Sequence, residues 1–74
     1  MSSEQRQIDI FKNKFRTSEE PEIQMMILDA LMAYDKKGIE TITDLINDGI
    51  DVKEEVKTHG LRLVNSLKDI TKRY

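Results

Sequence analysis

The apolar residues of this chain come in two matching sets. Ile8, Phe11 and Phe15 recur as Ile39, Ile42 and Ile46 at a constant offset of 31, and Glu20 recurs as Asp51 at the same offset. Ile23, Ile27 and Leu31 recur as Val56, Gly60 and Val64 at an offset of 33, with Tyr34 matched by Leu67. Steps of three and four residues mark helices buried on one side. A period of 31–33 residues that holds two helices is the signature of a helical solenoid. The two extra residues fall at Gly49-Ile50, where lengthening a loop costs little. The expected fold is therefore all-α: a four-helix antiparallel helical-repeat bundle, one domain spanning 1–74, with helices over about 4–16, 19–34, 36–48 and 51–73.

Start and stop signals sharpen these boundaries. Ser3 is placed to cap the first helix. Thr17 and Ser18 precede Glu19, Glu20 and Pro21, and Thr17 with Glu20 has capping-box spacing. Pro21 is tolerated in a first turn, where amide N–H groups lack partners, and the acids face the positive end of the helix dipole. The second helix reads as apolar nearly all round, broken only at Gln24 and at Glu22/Asp29, which predicts a central helix packed on more than one side. Asp35 is expected to cap the third helix, whose stripe is Ile39, Ile42, Leu45 and Ile46. Gly49 and Ile50 suit a Schellman ending. Asp51 with Glu54 is a second capping box, opening a fourth helix with the stripe Val52, Val56, Gly60, Leu63, Leu67, Ile70 and Tyr74, widened by Leu61 and Val64. Gly60 costs that helix about 1 kcal/mol relative to Ala. Close approach of another helix is the expected compensation.

The stretch from Glu20 to Asp48 resembles a HEAT repeat of the short, phycobilin-lyase-like type. Glu20-Pro21, Ile23, Ile27, Leu31 and Asp35, followed by Ile39, Ile42 and Ile46, carry the resemblance. The family's usual basic residue after the β-branched position is Gln24 here, and its usual small residue is Ile27. The fourth helix is similar to the first helix of a next repeat through Glu55, Val56, Lys57, Gly60 and Val64, and the first helix to a preceding second helix. The resemblance implies about two stacked units where such folds use three or more. The end helices must then be polar outside or must meet another subunit.

Composition excludes several classes of chemistry. A chain of 74 residues buries only about 60–65% of its unfolded surface, so its core is small. There is no cysteine, which removes disulfides, thiol nucleophiles and Cys-based zinc sites. No apolar run approaches a membrane span, and the N-terminus lacks the order of a signal peptide, so the expected location is cytoplasmic. The net charge of -2 gives no bulk attraction to nucleic acid. The charge is unevenly placed: residues 1–17 hold four basic and two acidic groups, and residues 18–35 hold five acidic groups and no basic one. Residues 50–74 hold six basic and four acidic groups.

His59, the one histidine, cannot make a metal site alone and has no nucleophile motif near it; it reads as a structural or surface residue. Glu19, Glu20 and Glu22 are explained by the helix dipole. Met25, Met26 and Met32 read first as core, with an adaptable binding groove as the alternative. No cofactor, metal, catalytic residue or small-molecule substrate is implied. The expected function is a non-enzymatic protein–protein interaction module or a small self-associating scaffold or regulator. Its partner would be another protein or a second copy, met through Ile10, Phe11, Leu61 and Val64. The alternative is nucleic-acid binding along the basic edge of the fourth helix, through Lys57, Arg62, Lys68, Lys72 and Arg73.

Overall fold

A computed structural model describes residues 3–47 and 52–72, with side chains described for 3–47 and 52–67. Every regular element among the described residues is helical: α1 (Ser3–Thr17), α2 (Pro21–Leu31), α3 (Asp35–Asn47) and α4 (Glu54–Lys72), with a 3-10 turn over Met32–Tyr34 between α2 and α3. None of these helices is long and apolar enough to cross a membrane.

The stripes read from the sequence form one core. Ile8 and Phe15 of α1 meet Ile27, Leu28 and Leu31 of α2, Ile42, Leu45 and Ile46 of α3, and Val56 and Val64 of α4. Phe11, Met25, Met32, Tyr34, Ile39, Val52 and Leu63 pack around it. The Phe11 and Tyr34 rings sit 6.4 Å apart at a tilt of 55°, within the roughly 4.5–7 Å over which aromatic pairs attract. As expected for a central helix, α2 packs against α1, α3 and α4. It is not apolar-buried all round, however. Gln24, at the supposed polar gap, is buried, while Ile23 and Met26 are exposed. The reason lies in Gln24's amide, which donates to the carbonyls of Phe15 (3.2 Å) and Ser18 (3.1 Å) at the end of α1. Carbonyls in the last turn of a helix lack intrahelical donors, so α2 supplies one from its own side chain.

Several helix ends differ from the sequence expectation. Ser3 is already the first residue of α1, so that helix's cap position falls outside the described residues. Thr17 closes α1 instead of opening α2: its hydroxyl donates to the carbonyls of Asn13 (3.0 Å) and Lys14 (3.3 Å). The Thr17–Glu20 capping box therefore does not form. Glu20 is the residue that precedes α2, with φ -92° and ψ 121° and no side-chain cap. That extended backbone is what a following proline imposes. α2 ends at Leu31, three residues early, because the chain tightens into the 3-10 turn. α4 begins at Glu54 rather than Asp51, and the Lys53 carbonyl accepts the amides of Val56 (3.0 Å) and Lys57 (3.1 Å). Asp51 and the Gly49-Ile50 ending lie outside the described residues.

The turn from α2 into α3 is held by two special residues. Asp35 has φ 51° and ψ -121°, close to the first central residue of a type II′ turn, a conformation that favours glycine. Its backbone N–H donates to the Met32 carbonyl, and among the described residues its carboxylate caps nothing. Gly38 then lies so close to the end of α2 that a Cβ there would run into the Leu31 carbonyl oxygen. At Gly60 the expected helix approach is present. A Cβ would meet Ile46 Cγ2 at 2.9 Å, Leu28 Cδ1 at 3.3 Å and Ile42 Cγ2 at 3.4 Å. The buried line on α4 is Val56, Gly60 and Val64, at steps of four, with Leu63 and Leu67 only half-buried. Among the described side chains of α4 this line follows the i, i+4 row of the helix.

Candidate interaction surfaces

Two of the four residues expected to meet a partner are open. Ile10 on α1 is 41% exposed and Leu61 on α4 is 53% exposed. The other two are occupied. Val64 is inside the core, since it lies one turn beyond Gly60 on the side of α4 that faces α2 and α3. Phe11 is half-buried against Tyr34. Neither Val64 nor the buried side of Phe11 is available to a partner in this packing.

The repeat offsets give the exposed pair a meaning. At the offset of 33, Leu61 corresponds to Leu28, which is fully buried. At the offset of 31, Ile10 corresponds to Thr41, also buried, whose hydroxyl donates to the Lys37 carbonyl at 2.7 Å. The end helices thus show to solvent the positions that the inner helices cover.

α2 carries a second open surface that sequence reading placed in the core. Ile23 is 42% and Met26 68% exposed. They lie three residues apart on the side of α2 away from Gln24, Leu28 and Leu31, with exposed Glu22 and Asp29 at either end. A signal for this was available: those acids share the Met26 side of the helix wheel. Met25 and Met32, by contrast, are half-buried against the core.

His59 bridges α4 to α2, with its Nε2 2.8 Å from Asp29 Oδ1. The pair is partly solvated, in keeping with the surface role read from sequence. Among the described residues no three His, Cys, Asp or Glu side chains group to hold a metal. Of the basic edge, Lys57 is half-buried and Arg62 exposed. Those two lie about 140° apart around the helix at 100° per residue. α4 carries Lys68 and Lys72 in its backbone, but their side chains, and Arg73 altogether, lie outside the described residues. Comparison with family models, with curated proteins and with solved structures finds no match.

Proposed function

We propose that this chain is a non-enzymatic protein-interaction module, built as two antiparallel HEAT-like units whose end helices offer the contact. The reading rests on the mismatch between equivalent positions. Leu61 is open where Leu28 is fully buried. Within a repeat array the interior position is covered by the next unit, and a terminal unit either becomes polar there or finds a partner. Leu61 stayed leucine, and Ile10 is isoleucine where the inner helix carries Thr41.

The contact would be made by shape and apolar burial, with no chemistry on a substrate. Covering a leucine side chain fully is worth roughly 1.5–3 kcal/mol, enough for a central anchor in a small interface. Quantitative capture from native lysate tests the reading, comparing the wild-type chain with Leu61→Asp and Ile10→Asp. The wild type should enrich a defined protein that both variants lose, while their circular dichroism stays unchanged. Equal capture by all three chains would remove the assignment to these faces.

A further inference from the structure

The outer sides of α1 and α2 are opposite in charge and alike in pattern. On α1 the side away from Ile8 and Phe15 carries Arg6, Ile10 and Lys14 at steps of four, with Gln7 and Asn13 beside them; all five are exposed. One carboxylate, Asp9, lies at the edge of that side beside Arg6, where it accepts from the Gln5 amide at 3.0 Å; the two cations outnumber it. On α2 the side away from Gln24 and Leu28 carries Glu22, Ile23, Met26 and Asp29, with Glu19 just before the helix; these too are exposed. Residues 18–35 contain no basic side chain to neutralise it. The two charges bracketing Ile10 are about 12 Å apart along the axis, and Glu22 and Asp29 about 10 Å, at 1.5 Å per residue. None of Arg6, Lys14, Glu19 and Glu22 makes an ion pair among the described residues. Asp29 shares one oxygen with His59.

We infer that these faces bind each other between two copies of the chain, the cationic Ile10 face of one copy covering the acidic Ile23/Met26 face of the other. This rests on the interaction-module reading and names one partner for it. Consecutive helices α1 and α2 pack side by side. A twofold axis beside them would repeat the contact in both directions, as a closed dimer requires. Ile10 would supply the apolar contact to Ile23 and Met26. The charges would set orientation and on-rate more than raw affinity.

Sedimentation of the full 74-residue chain over a range of concentrations and salt tests this. A concentration-dependent dimer that weakens with added salt is expected. Arg6→Glu/Lys14→Glu on its own, and Glu19→Lys/Glu22→Lys on its own, should each weaken self-association roughly tenfold or more. An equimolar mixture of the two variants should restore pairing, because each then presents what the other lacks. Should the second variant unfold through loss of helix-start acids, Glu19→Gln/Glu22→Gln replaces it, with a smaller loss expected. A wild-type chain that is monomeric up to about 1 mM, or a dimer indifferent to both charge reversals, overturns the inference. A monomer that still captures a protein through Leu61 overturns the self-pairing alone, whereas a chain that neither pairs nor captures overturns the interaction reading as well.

Discussion

Gly38 faces the Leu31 carbonyl, a backbone group that cannot rotate aside to admit a methyl. Gly38→Ala should therefore cost about 2 kcal/mol or more despite alanine's better helix propensity. A lowered urea midpoint at unchanged m-value would register it. The neighbouring Asp35 pays for its positive-φ backbone with no side-chain capping bond in return among the described residues. Asp35→Gly should raise stability by about 0.5–1 kcal/mol, the relief of strain outweighing glycine's extra unfolded-state freedom. A drop in melting temperature would contradict that account. Gln24 works in the opposite sense. Gln24→Leu keeps the bulk but leaves the Phe15 and Ser18 carbonyls without their donor. The expected loss is about 1–3 kcal/mol, with earlier amide exchange at the end of α1.

At the scale of elements, Gly60 sets how closely α4 can lie on α2 and α3. Gly60→Ala gains about 1 kcal/mol of helix propensity but pushes Cβ against the branch methyl of Ile46, which a β-branched side chain cannot easily move. The net expectation is destabilisation by about 1 kcal/mol. Ile46→Leu, which removes that methyl from Cβ, should reduce the penalty in a double-mutant cycle. Helix stripes were legible in the sequence because burial follows the 3.6-residue period: Ile8, Phe15, Ile42, Ile46 and Val56 all lie where spacing put them. Helix ends were less so. Thr17 has the side chain of a cap, but a hydroxyl can bond backward as readily as forward, and Thr17 does. Nor can spacing tell that Gln24 would find two carbonyls, since that depends on where α1 stops. Once Gln24 is drawn inward, α2 is rotated, and Ile23 and Met26 are left on its open side. The surface missed and the polar contact missed are one effect.

Across the whole molecule, the open residues that matter are few and differently placed: Ile10 on α1, Ile23 and Met26 on α2, and Leu61 on α4. Leu61→Asp should leave monomer stability within about 0.5 kcal/mol, as surface changes usually do. A larger loss on thermal unfolding would mean that Leu61 already supports the fold. The order of assembly follows from the same contacts. The amide of Gln24 reaches Phe15, only nine residues away, so the α1–α2 pair closes a short loop at low entropic cost. The seat of Gly60 is made by Ile46 and Ile42, 14 and 18 residues away, and by Leu28, 32 residues away. All three contacts span more of the chain than the one from Gln24 to Phe15, and such contacts form later. A substitution at Gly60 should then quicken unfolding far more than it slows refolding, while one at Gln24 should do the reverse. Stopped-flow rates for the two variants would show α4 as the part of the molecule that arrives last and departs first.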